Sequence, residues 1–401
     1  MSNSILIILC IIILLIVIPI VMYLLNKFKL IEKKEEEKPD PTNNDKFDKF
    51  VIIDDTATID EVKETEKLLE GFDRICSCLK IYTFKDRCLP SGKLLSGVAG
   101  SRLGHKSGAN VEFSFDNIEI RAANTFIKNN AEYKQKEDSG EKTDIINQLH
   151  ENEISNALNV AILDTYVDRD KLYSILQNKF NDIGFNVSVS NKRECTEGQS
   201  GTETNHGTVV AFQLIEKLKN NENKKDINIH IYSITNQDEF VTLPHVICAL
   251  HAAKKDKNKY VNMSFGFDHC DKLLKKYVEQ LADSAIFITA ALGNNGVHTP
   301  EDSLCERNIL SAFPAMYKHK KIIRVGAIQN DIRWANSNYT HISENFYVAT
   351  PFINQNQSGG GGTSYASPRI LADLITDQTF SSINISDNAG GSNILVLKEA
   401  N

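Results

Sequence analysis

A serine hydroxyl is a poor nucleophile at neutral pH and needs a neighbouring base to take its proton as it attacks. This chain holds a candidate for each part of that chemistry. Ser364 follows a glycine run, Gly359 to Gly362, within Gly362-Thr363-Ser364-Tyr365-Ala366-Ser367-Pro368. His206 stands in Asn205-His206-Gly207-Thr208-Val209-Val210-Ala211, where it can act as the base. Asp164 closes the apolar stretch Asn159-Val160-Ala161-Ile162-Leu163 and can hold the imidazole in one tautomer. Asn294, in Ala290-Ala291-Leu292-Gly293-Asn294-Asn295-Gly296, can aim its amide at a developing oxyanion, which is worth about 3 kcal/mol for one such donor. Each segment alone has a plainer reading. An Asp ending a strand caps a turn, a His can simply open a helix, and Asn-Gly is a turn pair.

Four such residues work only if rigid elements bring them together. From about Ile145 onward, short apolar runs alternate with amphipathic segments of helix length. Strands are expected over 159–163, 227–234, 260–265, 285–291 and 322–327, and helices over 206–219, 243–255, 271–283 and 365–376. Alternation at this spacing implies an α/β fold, a parallel sheet with helices on both faces. In such sheets the site lies at the carboxyl ends of the strands, where Asp164 and Asn294 fall. The glycine run lets backbone approach closely, and Pro368 is expected in the first turn of the helix that Ser364 opens.

The order Asp, His, Asn, Ser excludes the arrangement of α/β-hydrolases, in which the serine comes first. With these motifs it resembles the subtilisin-like serine proteases, or subtilases, over about 145–376. Gly362 to Pro368 is similar to that family's GTSxAxP nucleophile motif, His206 to Ala211 to its HGTxVA motif, and Asp164-Thr165 to its aspartate motif. Val261-Asn262-Met263-Ser264-Phe265-Gly266 resembles its substrate-binding strand, and Phe313-Pro314-Ala315 and Val325-Gly326-Ala327 are further likenesses. The resemblance implies peptide-bond hydrolysis through an Asp164–His206–Ser364 triad and an acyl-enzyme, with Asn294 as oxyanion donor. It also implies a pocket walled by Ser264, Phe265, Gly266, Ala290, Ala291, Leu292 and Gly293 for the residue before the scissile bond. Those walls carry no carboxylate, so an apolar side chain is expected there. No cofactor is implied; structural calcium is frequent in the family, but no ligand set is legible. Two positions depart from the pattern, Tyr166 in place of glycine and Phe212 in place of a small residue. They keep open an alternative, a catalytically inactive, subtilase-like binding protein tethered to a membrane.

The rest of the chain frames this region. Net charge −7 excludes a nucleic-acid partner, because phosphate neutralisation needs a basic surplus. Residues 5–25 are apolar throughout and reach across a ~30 Å hydrocarbon core, so an uncleaved transmembrane helix contacting the lipid bilayer is expected. Lys27, Lys29, Lys33 and Lys34 follow it, which by charge bias puts the peptidase region on the cytoplasmic side. Residues 26–48 read as a charged tether, 49–140 as a small α+β region for which a propeptide is one reading, 145–380 as the peptidase domain and 381–401 as a tail. Residues 91–108 read as loop. If 49–140 is a propeptide, cleavage between about 134 and 156 is expected to release the protease from its anchor. The eight cysteines show no metal spacing and read as free core thiols, with a few disulfides possible in an oxidising compartment. Protein or peptide substrates are the expected partners.

Overall fold

The computed structural model describes residues 49–52, 73–76, 78–79, 81–83, 106–109, 112–113, 117–131, 145–192, 205–235, 241–267, 270–299, 312–330, 332–340, 346–350, 361–386 and 393–399. Among the described residues no helix is long and apolar enough to cross a membrane. The span expected over 5–25, the tether over 26–48 and the charged segment 134–142 lie outside the described residues.

The amino-terminal part contributes strands β1 (Lys49–Ile52), β2 (Asp73–Cys76), β3 (Ile81–Thr83) and β4 (Lys106–Ala109), and the two-residue strand β5 (Glu112–Phe113). The first four form an antiparallel sheet in the order β2-β3-β1-β4. Residues 106–108, expected to be loop, are thus strand, because β1 offers them a pairing edge. Helix α1 (Asn117–Asn130) follows, an element that the sequence reading did not anticipate. Its buried positions, Glu119, Ala123, Phe126 and Ile127, recur at helical spacing on one face.

The remaining region runs α2 (Ile145–Gln148), β6 (Leu149–His150), β7 (Leu158–Asp164), α3 (Arg169–Lys179), β8 (Val187–Asn191), α4 (His206–Asn220), β9 (Ile227–Ser233), β10 (Val241–Thr242), α5 (Leu243–Lys255), β11 (Tyr260–Met263), α6 (Lys272–Ser284), β12 (Phe287–Ala291), β13 (Ile322–Gln329), β14 (Ile332–Arg333), β15 (Phe346–Ala349), α7 (Thr363–Ile375), β16 (Phe380–Ser386) and β17 (Asn393–Glu399). Its sheet has the order β14-β16-β17-β15-β13-β12-β11-β7-β9-β8-β6, and all neighbouring pairs from β15 to β6 are parallel. The period of two along β7 divides the core. Val160 and Ile162 pack with α3 and α4, whereas Ala161 and Leu163 pack with α5 and α6. Both faces of the strand are covered, which is why its sequence reads as a continuous apolar run. The stretch expected as a tail instead forms an antiparallel hairpin, β16 with β17, that extends the sheet.

The cysteines require a correction. Cys76 of β2 and Cys248 of α5 form a disulfide across 172 residues, and Cys78 and Cys270 are also disulfide-bonded. No local spacing rule can see a bond of that reach, so the free-thiol reading fails for these four. Cys10, Cys88, Cys195 and Cys305 lie outside the described residues.

Candidate active site

Asp164 is the last residue of β7, held from both sides by β9 and β11. Its Oδ1 accepts the backbone N–H of Thr165 at 2.7 Å. His206 opens α4, and its Nδ1 lies 2.8 Å from that same Oδ1, with both side chains fully buried. Gly207 makes the approach possible. A Cβ there would lie 2.4 Å from the carbonyl oxygen of Thr165 and 3.2 Å from Oδ1 of Asp164, so only glycine lets the first turn of α4 meet the end of β7. The Gly207 N–H donates to Thr165 Oγ1 at 2.8 Å, locking the join.

Ser364 is the second residue of α7. Pro368 lies inside that helix and not in its first turn as expected. A proline four residues on supplies no N–H to the Ser364 carbonyl. The hydroxyl of Ser264 donates to that carbonyl instead, at 2.7 Å. Ser264 in turn accepts from Asn262 Nδ2 at 2.8 Å, and Ser367 donates to Asn262 Oδ1 at 2.8 Å. The buried network fixes the start of α7 against the end of β11. Asn294 is placed beside the same helix start: its Oδ1 accepts from Thr363 N–H at 2.9 Å and Thr363 Oγ1 at 3.0 Å. With the oxygen so engaged, the NH2 end of the amide faces away from Thr363. The Gly293 N–H donates to Thr363 Oγ1 at 3.0 Å.

Of the other expected pocket residues, Ser264 lies against Ser364, and Gly266 and Gly293 are half-buried. Ala291 is buried at the end of β12, whereas Phe265, Ala290 and Leu292 pack in the core beside α5 and α6.

One residue at the centre was missed from the sequence. Glu119 of α1 is 3% exposed. Its Oε2 accepts from Ser364 Oγ at 3.0 Å and lies 3.7 Å from His206 Nε2, and its Oε1 takes the Ser364 N–H at 3.3 Å. Ser364 Oγ has a second acceptor at 3.0 Å, the carbonyl of Ser264. Burial acts to lower the pKa of His206, but the charge of Asp164 and its hydrogen bond, joined by Glu119, outweigh it and raise the pKa to about 10. In this arrangement the imidazole carries its proton at neutral pH.

A model of the Subtilase family matches residues 155–372, more than half of the 401 residues. The chain belongs to the subtilase family. As a subtilase it is a serine protease in broad class, and Asp164, His206, Asn294 and Ser364 all fall inside the matched span. Among solved structures, the chain is similar to the self-cleaved protease domain of PatA, at 20% identity and TM-score 0.37, covering 55% of this chain and 80% of that one. A lanthipeptide protease gives 19% and 0.39, with 54% and 71% covered. A cold adapted subtilisin-like serine proteinase gives 17% and 0.41, with 62% and 93% covered. No curated protein matches the chain. The two departures of this subtilase leave the Asp164–His206 contact intact. Tyr166 is half-buried, and Phe212 is fully buried between the rings of Phe126 and Phe180, with centroids 5.1 Å and 6.4 Å away.

Proposed function

We propose that this subtilase is a serine endopeptidase in which Ser364 attacks the scissile carbonyl, His206 takes the hydroxyl proton and returns it to the leaving amine, and Asp164 orients the imidazole. The oxyanion is met by the Ser364 N–H and the Asn294 amide, and the acyl-enzyme on Ser364 Oγ is then hydrolysed by water. One observation carries the reading: Asp164 lies 2.8 Å from one nitrogen of His206, while a single carboxylate oxygen lies within 3.0 Å of Ser364 Oγ and 3.7 Å of the other nitrogen. Base, orienter and nucleophile therefore share one small volume at the sheet's carboxyl edge. Ser264, Gly266, Ala291 and Gly293 would border the pocket for an apolar side chain before the scissile bond, with Phe265, Ala290 and Leu292 packed behind them.

Residues 5–25 would anchor the enzyme in a membrane, as their unbroken apolar run supports. The bonded Cys76 and Cys248 favour an oxidising compartment for the peptidase domain. That is the side opposite to the one the lysines after the span suggest, and the disulfide is the stronger argument because it requires the compartment's chemistry.

The test is a fluorophosphonate probe applied at saturation, with the adduct mapped by mass spectrometry. Labelling is expected on Ser364 and absent in Ser364→Ala. If neither the wild type nor a folded Glu119→Ala protein carries label on Ser364, the peptidase reading falls.

A further inference from the structure

Glu119 is the feature the reaction does not need. Burying a carboxylate is costly unless charges and donors meet it, and a helix that served only to cover the core would present an apolar residue here. Glu119 is nevertheless buried at the reaction centre, and its partners are the reacting groups themselves. Its two oxygens are divided as those of a cleaved peptide's terminal carboxylate would be. Oε1 lies on the Ser364 N–H, one of the proposed oxyanion donors, and Oε2 lies between Ser364 Oγ and His206 Nε2. The positive end of the α7 dipole adds to the hold. The fit is close: a Cβ on Gly362, the residue before α7, would fall 1.6 Å from Oε1.

The rest of α1 is fastened by contacts that do not involve the Ser364 hydroxyl or the His206 imidazole. The phenol of Tyr365 donates to the Glu119 carbonyl at 2.7 Å. Phe126 packs on Phe212, and Lys179 Nζ lies 4.9 Å from each of the two ring centroids. Just before the helix, β5 pairs antiparallel with β10, Phe113 opposite Val241 and Glu112 opposite Thr242. Segment 112–130 thus carries a strand paired with β10 and a ring packed on Phe212, with Glu119 between them in the chain.

We propose that α1 is a resident plug that keeps the site closed, its Glu119 carboxylate occupying the reaction centre in the manner of a bound product. This rests on the reading of Ser364 and His206 given above. The imidazolium that Asp164 and Glu119 jointly stabilise cannot take a proton from Ser364, and Oε2 competes for the hydroxyl, so the plugged enzyme lacks its base as well as its cleft. Opening requires Glu119 to leave, by displacement of α1 or by a substrate that outcompetes it.

The experiment compares rates of fluorophosphonate labelling in the wild type, Glu119→Ala, Glu119→Gln, Phe126→Ala and Ser364→Ala, each checked for folding by circular dichroism. Loss of one charge-assisted contact predicts a rise of about 10–100-fold for Glu119→Ala. Glu119→Gln keeps the volume and is expected to rise less. Phe126→Ala, which loosens the plug without touching the centre, is also expected to rise. Ser364-dependent labelling at the same rate in the wild type and both Glu119 variants overturns the plug and leaves the peptidase reading standing. Labelling that falls in folded Glu119 variants also overturns it, since Glu119 would then assist the reaction. Labelling on Ser364 in none of the proteins overturns both.

Discussion

Phe126 and Phe212 meet with ring centroids 5.1 Å apart, one on the plug helix and the other on the helix that begins with His206. This pair accounts for the aromatic at 212 where a small residue was expected: it is the seat on which α1 rests. The same helix α4 therefore presents the proposed base at its start and the plug's anchor six residues later.

Truncating that seat should be expensive. Phe212→Ala removes a fully buried ring and is expected to lower unfolding free energy by about 3–5 kcal/mol, read by chemical denaturation. Hydrogen exchange within 117–130 should rise at the same time. Protection there equal to wild type would mean that α1 does not depend on this contact.

Asp164 and Asn294 should separate by magnitude. In a Glu119→Ala background, Asp164→Asn is expected to lower kcat about ten-thousand-fold, because the wrong imidazole tautomer is then favoured. Asn294→Ala is expected to lower it about 100- to 1,000-fold with little change in KM. Hydrolysis of a peptide with an apolar residue before the scissile bond supplies the measurement, and a loss of only a few fold at Asp164 would remove it from the orienting role.

The pH dependence follows from the groups around His206, namely Asp164 at Nδ1, Glu119 at Nε2 and the neutral ring of Tyr365 at 5.4 Å. Folding raises the pKa of His206 from 6.5 to about 10, with Asp164's attraction and Glu119's overcoming the opposing effect of burial. A pKa raised on folding contributes stability that is complete below 6.5 and is lost as pH climbs through about 10. The hold that the charged His206 gives the plug therefore weakens as pH climbs through about 10, and wild-type labelling should rise toward that pH. Glu119→Ala should reach its plateau at lower pH. Superimposable profiles would show that Glu119 does not hold the proton.

Removing the disulfide tests the amino-terminal sheet. Cys76→Ser with Cys248→Ser opens a loop of 172 residues and is expected to cost about 2–5 kcal/mol, seen as a lower denaturation midpoint. An unchanged midpoint would mean that the bond joins parts already held in place by packing.

Much of the catalytic half was legible in the sequence because its signals are local. A buried parallel strand declares itself as an apolar run, and Asn159 to Leu163 lies inside β7. Helix α5 covers 243–255 as its periodicity implies, and the His206 and Ser364 motifs are each a short continuous run. What stayed hidden depends on partners far away. Glu119 meets Ser364 across 245 residues, and nothing near Glu119 hints at its role beyond the spacing of Ala123, Phe126 and Ile127. The strand 106–109 and the final hairpin needed edges supplied by other segments. Pro368 was misplaced because its tolerance inside α7 comes from Ser264, 100 residues earlier.

The disulfide changes what a cut in this molecule can mean. Cleavage between 134 and 156 was expected to free the protease from its anchor, but that interval lies inside the loop closed by Cys76 and Cys248. A nick there yields two polypeptides and one particle. On a gel the event is visible with reductant and invisible without it. The severed amino-terminal piece stays aboard, and with it whatever address residues 5–25 confer. Separation then needs a thiol donor and the undocking of α1 together, and no peptidase acting within that loop can complete it alone.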